Sequence, residues 1–196
     1  MRCHSGGCPG ADIVWEVLLK QHEVPTYAYS FKGHVHEGEH PIILTQDELD
    51  EGWGHVKRAN ETLNRNVESL QNPYVRNLMC RNWFQVKNSE AVFAVGTFIN
   101  QSDKVNGGTG WAVQMAIDSK RPTYVYDQMR GEWFSFNHKK NIFEFLSTQT
   151  LLPAFPDNFA GIGTREINDA GIEAINRIIE VNLNQYANVV KMIKVL

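Results

Sequence analysis

The sequence predicts a single α/β domain, doubly wound around a mainly parallel sheet. Three observations carry that expectation. Strand-like and helix-like segments alternate along the chain, which is the rhythm of βαβ units. The run at 91–95 (AVFAV) has no polar alternation and reads as a strand buried on both faces, as in a parallel sheet. Three glycine-rich segments stand between strand-like and helix-like stretches, where α/β folds place their tightest turns.

Taken in order, a short strand is expected over 2–4, then a helix over 11–21 and a β-rich run over 25–31 (PTYAYSF). Thr45 and Glu48 stand at capping-box spacing, and Leu49, Trp53, Val56 and Leu63 recur at helical intervals, so a helix is expected to end near Arg65. Asn72 and Pro73 open another, because proline is tolerated at a first helical position, and it carries Leu78, Met79 and Val86 inward. After the strand at 91–95 come a helix over 111–118 and a strand over 123–126. The aromatic stretch with Trp133, Phe134, Phe136, Phe143 and Phe145 is expected to form one or two short helices across the sheet edge. The last unit is a strand over 159–162, a glycine turn, and a helix from Asn168 with Ile172, Ile175, Ile179 and Leu183 on one stripe. No linker, low-complexity segment or long repeat interrupts the chain, so one domain is expected over 1–196.

Composition narrows the function. A net charge of −3 with no stripe of lysine and arginine argues against a duplex nucleic acid as partner. No apolar run approaches the roughly 18 residues of a membrane span, and no signal segment is recognised, so a cytoplasmic protein without a membrane partner is expected. The three cysteines, Cys3, Cys8 and Cys80, form no CxxC pair, and a reducing compartment fits them. His34, His36 and His40 crowd the stretch GHVHEGEH, yet nothing at standard spacing completes a zinc set, and no metal is expected. No cofactor motif is recognised either.

The functional signal lies in the three glycine segments. They are 5–10 (SGGCPG), 106–110 (NGGTG) and 160–164 (AGIGT). Each is expected to lead into a helix at the carboxyl edge of the sheet, where ligands of open α/β sheets bind. Helix amino termini there present unpaired N–H groups and partial positive charge to an anion. A phosphate-bearing ligand is therefore expected against Ser5, Gly6, Gly7 and Gly10, against Gly107, Gly108, Thr109 and Gly110, and against Gly161, Gly163, Thr164 and Arg165. No GxxxxGK[ST] occurs, and Gly161-Ile162-Gly163 has Glu166 where a GxGxxG fingerprint needs its third glycine. A Walker-type ATPase and an ordinary dinucleotide dehydrogenase are thereby disfavoured.

Only four residues precede the first turn, whereas the carboxyl end carries a full strand, turn and helix that would fit ahead of it. This order predicts a circular permutation, with the strand near 159–162 lying beside the strand at 2–4.

SGGCPGAD, RNWFQV, GGTGWAVQMA and FAGIGTRE, in that order, resemble the SLOG superfamily, which groups LOG nucleotide hydrolases, molybdenum-cofactor carrier-like proteins, the DNA-processing protein A fold and YpsA-like proteins. The resemblance is to its circularly permuted YpsA-like branch and covers nearly the whole chain. It implies a Rossmann-like sheet, a nucleotide or nucleotide-derived ligand, and a homo-oligomer, a dimer by family resemblance. GGTGWAVQ is similar to the LOG motif PGGxGTxxE, with Asn106 at the proline and Gln114 at the glutamate that acts on the glycosidic bond. Arg81, beside Asn82 in RNWFQ, is the carry-over of the LOG arginine that works with that glutamate. A neutral amide at 114 cannot take up a proton or stabilise an oxocarbenium-like centre by charge.

Other residues retain two readings. Asp12 and Glu16 share a helix face four residues apart; Asp12 is either a cap or a ligand-facing acid, and Glu16 is read as structural. Arg165 either pairs with a phosphate or is an ordinary surface residue. Cys8 is read as a small turn residue, a catalytic thiol having only His4 nearby in sequence as its base. Trp111 and Trp133 are read as core rather than as base-stacking residues. The function expected is binding, as a sensor, carrier or sequestering module, of a nucleotide-derived ligand. The alternative is N-glycoside hydrolysis of nucleoside 5′-monophosphates, with Arg81, Asp12 and Gln114 as the candidate catalytic set; single-stranded nucleic-acid binding is the third reading.

Overall fold

A computed structural model describes residues 1–39, 41–66, 70, 72–100, 103–147 and 152–193, with side chains in the last helix described to position 184. His40 lies outside the described residues. The elements run β1 (Arg2–Ser5), α1 (Ala11–Lys20), β2 (Thr26–Phe31), β3 (Ile42–Leu44), α2 (Gln46–Leu63), α3 (Pro73–Lys87), β4 (Ala91–Gly96), α4 (Gly107–Asp118), β5 (Thr123–Asp127), β6 (Glu132–Asn137), β7 (Ile142–Phe145), β8 (Asn158–Gly163) and α5 (Asp169–Ile193).

The strands form one sheet in the order β3-β2-β1-β8-β4-β5-β6-β7. From β3 to β5 every pairing is parallel; β6 and β7 run antiparallel at one edge. This is the expected doubly wound α/β fold, and β8 pairs with β1 as the strand order predicted, Cys3 opposite Phe159.

The two faces of β4 separate two cores. Val92 and Ala94 join α2, α3 and α4 on one side, whereas Phe93 and Val95 join α1 and α5 on the other. Burial on both faces is why that strand shows no polar alternation. At roughly 25 cal/mol per Å² of apolar surface removed from water, these two cores supply the main driving force for folding.

Helix boundaries follow the expected local chemistry. Thr45 and Glu48 close a reciprocal capping box on α2, and Asn64 ends that helix in the left-handed conformation. The Asn72 side chain accepts from the Tyr74 N–H ahead of α3, with Pro73 at its first position.

Two expectations are corrected, and one strand is added. The aromatic stretch at 133–145 is a β-hairpin, not helical: Phe134 pairs with Phe145 and Phe136 with Phe143 around the turn at 138–141. Its aromatic residues pack cross-strand and against Phe98, which aromatic side chains on a pleated surface do well. The short strand β3 at the opposite edge was not anticipated. Finally, the third glycine segment is not a turn, because Gly161 and Gly163 lie within β8.

Candidate functional site

β1 and β4 flank β8, and their following helices α1 and α4 pack on opposite faces of the sheet. That divergence is a topological switch point, where the carboxyl ends of the strands leave a crevice. A cleft of about 510 Å³ opens there, within the range of small-ligand sites. Its walls come from the 5–12 segment, α3, the 106–109 turn and the 162–166 segment.

Arg81 dominates its electrostatics. The side chain projects from α3 into the cleft wall and is only 5% exposed. Its Nη2 donates to Cys8 Sγ at 3.4 Å, while Nη1 stands 3.7 Å from Asp12 Oδ2. Nε and Nη1 are buried and have no hydrogen-bond partner. Unpaired charged donors are expensive inside a protein and call for an acceptor.

Asp12 is the second buried charge group. Its carboxylate accepts from the Cys8 N–H at 3.3 Å, so it braces the first glycine segment from inside α1. Burial pushes its carboxyl above the ordinary range, against the opposing pull of Arg81 and of bonds from the Cys8 and Gly163 N–H groups. Asp12 thus organises the turn and lines the cleft, and it is not the cap of α1, whose N-cap is Gly10 with no side-chain cap bond.

The 106–110 segment opens α4 and forms one wall of the cleft. Asn106 caps α4, its side chain accepting from the Gly107 N–H at 2.8 Å. Gly107 adopts a φ of 62°, which an L side chain rarely tolerates, and nothing lies within 4 Å of where its Cβ would be. Asn82 donates to the Gly108 carbonyl at 3.3 Å and fixes α3 to this turn. Gly107, Gly108 and Thr109 line the cleft. Gly110 instead packs beneath the Val105 carbonyl, where a side chain would overlap backbone.

The other two segments serve differently from the expectation. Ser5 is buried and its hydroxyl reaches back to the Asp12 carbonyl. Gly6 backs onto the Arg81 guanidinium, Gly7 onto His36, and Gly10, at φ 95°, onto the backbone of Thr164 and Arg165. These glycines let the walls close on the segment, and Cys8 and Asp12 are what it offers to the cleft. Gly161 faces Trp15 and Cys3, and Gly163 abuts Ala11, so both let α1 lie against the sheet. Gly163, Thr164 and Arg165 do reach the cleft, with Arg165 exposed at its mouth.

Gln114 is not gathered into the site. It is buried on α4 and donates to Asp118 at 2.8 Å, one turn further on. Trp111 and Trp133 are core residues. Glu16 is buried and accepts from the Glu39 N–H at 2.6 Å. His4 bonds to Tyr29 and Asn158 rather than to Cys8. The histidine-rich segment packs on the first glycine segment instead, with the Glu37 N–H donating to the Gly7 carbonyl and His34 Nε2 lying 3.5 Å from Cys8 Sγ. Among the described residues, no group of three or more His, Cys, Asp and Glu is placed to hold a metal ion.

Two supporting residues escaped the sequence reading. Arg65, at the end of α2, donates to the carbonyls of Gly107 and Val105 at 2.7 and 2.5 Å and holds the 106–110 segment from outside. Gln128 bridges the Glu166 carbonyl and the Asn168 N–H, fixing the 164–168 segment. Both act across about 40 residues of sequence, and no local pattern marks them.

No helix among the described residues is long and apolar enough to cross a membrane. Comparison with family models, with curated proteins and with solved structures found no match to this chain.

Proposed function

We propose that the protein binds a nucleotide or nucleotide-derived ligand, seating a phosphate between Arg81 and the start of α4. The observation that carries this reading is the pair of unpartnered donors, Nε and Nη1, on a guanidinium that is almost wholly buried in the cleft wall. The nearest carboxylate oxygen, Asp12 Oδ2, stands 3.7 Å from Nη1, beyond hydrogen-bond reach, so the guanidinium is incompletely satisfied. An anion restores the balance, and a phosphate matches the planar fork of the guanidinium. The Gly107 and Gly108 backbone at the positive end of α4 supplies the opposite wall. At about 510 Å³ the cleft is larger than a phosphate alone requires. Membership of the SLOG superfamily, proposed from the four motifs, agrees with this reading.

One observation favours a second reading, N-glycoside hydrolysis. Asp12 is a buried carboxyl of raised pKa on the cleft wall, the environment that suits a general acid for a departing base. Gln114, bonded to Asp118, takes no part in it.

Mass spectrometry of small molecules released by denaturing the purified protein tests the first reading, together with incubation against a panel of nucleoside 5′-monophosphates. A copurified nucleotide and no free base support binding. Efficient release of free base that Asp12→Asn abolishes would replace binding with hydrolysis.

A further inference from the structure

Cys8 stands where the anion cleft meets the histidine-rich segment. Its Sγ accepts from Arg81 Nη2 at 3.4 Å and lies 3.5 Å from His34 Nε2. His34 Nδ1 in turn lies 3.0 Å from the Ser30 hydroxyl, and its ring stacks on Phe31 with centroids 4.9 Å apart. This is a thiol, an imidazole oriented by a third group, and a cation beside the sulfur, the arrangement that activates a nucleophile. Arg81, 5% exposed with Nε and Nη1 unpartnered, points into the same cleft.

From this juxtaposition we infer that Cys8 is a peroxide-reactive thiol whose oxidation to a sulfenic acid weakens anion binding at Arg81. The weakening rests on the phosphate site proposed above; the reactivity does not. The Cys8 thiol proton passes to His34 Nε2, with the Ser30 oxygen accepting from Nδ1–H in the tautomer that leaves Nε2 unprotonated. The Arg81 Nη2, 3.4 Å from Sγ, faces the negative charge that develops on the sulfur as the proton leaves. The sulfur attacks one oxygen of hydrogen peroxide; the S–O bond forms as the O–O bond breaks, and the departing hydroxide takes the proton back from His34 Nε2. Sulfur is oxidised, peroxide is reduced to water, and His34 returns to its neutral form. Burial, with Arg81, His36 and Arg165 nearby, pulls the His34 pKa down to about 4, so the ring is neutral near pH 7 and is a weak base that carries the thiol proton only transiently, as the sulfur attacks, before the departing hydroxide takes it. The new oxygen on Sγ then competes for Arg81 at the position an anion would occupy.

Two other cysteines provide internal controls. Cys3 is completely buried, and burial pushes its thiol far above the ordinary range; burial also pushes Cys80 up to about 11. Neither lines the cleft. A thiol held protonated reacts poorly with peroxide.

The test treats the full chain with hydrogen peroxide, traps sulfenic acid with dimedone, and reads each cysteine by peptide mass spectrometry. Cys8 is expected to be trapped about tenfold or more faster than Cys3 and Cys80. His34→Gln is expected to slow the trapping at Cys8 by on the order of tenfold or more, and Ser30→Ala to slow it less. Titration with orthophosphate before and after oxidation is expected to show about a tenfold loss of affinity, which Cys8→Ser does not show. Trapping at Cys8 no faster than at Cys80, or an unchanged rate in a folded His34→Gln or Ser30→Ala protein, would overturn the reactive thiol. Full phosphate affinity in the oxidised protein would overturn its effect on binding. Selective trapping in a protein that binds no orthophosphate when reduced would defeat the anion site and uphold the thiol.

Discussion

Arg81 Nη1 and Asp12 Oδ2 stand 3.7 Å apart with both side chains about 6% exposed, close enough to attract and too far to share a hydrogen bond. A buried ion pair with imperfect geometry recovers little of its desolvation cost. Evolution toward stability alone would close it or replace it with apolar groups. Its looseness makes sense if a ligand completes it, and the thermodynamic consequence is that any anion held there stabilises the fold by mass action.

Removing the carboxylate separates the two roles of Asp12. In Asp12→Asn the repulsion between carboxylate and phosphate disappears, so orthophosphate affinity is expected to hold or rise, while the apoprotein loses stability because Arg81 is left without its partner. The loss should fall within the roughly 3–5 kcal/mol typical of breaking a buried pair. Chemical denaturation with and without orthophosphate checks both halves. Phosphate affinity that falls tenfold or more in a folded Asp12→Asn protein would contradict the repulsive arrangement.

Gly108 and Gly161 predict opposite outcomes. A Cβ at Gly108 would meet only the flexible end of Met79, at 3.3 Å, and would narrow the cleft. Gly108→Val is therefore expected to keep the fold and lose about tenfold or more in phosphate affinity. A Cβ at Gly161 would come within 2.7–2.9 Å of Trp15 and Cys3 Sγ. Gly161→Ala is expected to cost roughly 1–3 kcal/mol of stability and to leave the affinity of the folded protein unchanged. Calorimetry on both variants decides between them; equal effects on binding would return Gly161 to the ligand.

These glycines also show where sequence reading succeeds and where it stops. Burial on both faces marks AVFAV as a central strand, and the caps at Thr45 and Asn72 are local chemistry readable within four residues. The glycines of β8 resemble a phosphate turn in sequence, yet they exist to admit Trp15 and Ala11, nearly 150 residues away in the chain. The hairpin at 132–145 carried a readable signal, aromatic residues at period two on either side of a polar turn, which the expectation of helices overrode. Arg81 and Asp12, singled out in the sequence, both line the cleft. His34 was legible only as one of a cluster of histidines, because its approach to Cys8 depends on how the segment after β2 folds back over the first glycine segment.

Acid should weaken the fold through its histidines. Burial lowers the pKa values of His4, His34, His36 and His55, that of His34 to about 4. Unfolded histidines take up protons near pH 6.5 while these folded ones resist, so the unfolded state binds more protons and stability falls as pH drops below about 6.5. Asp12 has the opposite sign: its raised carboxyl favours folding at low pH, and that contribution fades as pH rises through its folded pKa. Four groups against one predict a lower urea midpoint at about pH 5.5 than at about pH 7.5, with the difference reduced in His34→Gln. Equal midpoints at the two pH values would contradict the balance.

Arg65 offers a test of how the 106–110 segment is held. Its two bonds to the carbonyls of Gly107 and Val105 come from outside the cleft, so Arg65→Ala removes a support without touching the ligand. Phosphate affinity is expected to fall by a few fold to about tenfold, and amide exchange at 106–109 to quicken. Unchanged exchange there would show that the turn holds its shape without Arg65.

The most direct measurement is a calorimetric titration of orthophosphate and of adenosine 5′-monophosphate into wild type, Arg81→Lys and Arg81→Ala, each checked for folding by circular dichroism. Loss of a charge-assisted contact predicts a drop of about ten- to a hundredfold in Arg81→Ala, with Arg81→Lys recovering part of it through charge but not the guanidinium geometry. Wild-type protein that binds neither anion, or a folded Arg81→Ala protein that binds both as wild type does, would contradict a cleft built around Arg81 to hold phosphate.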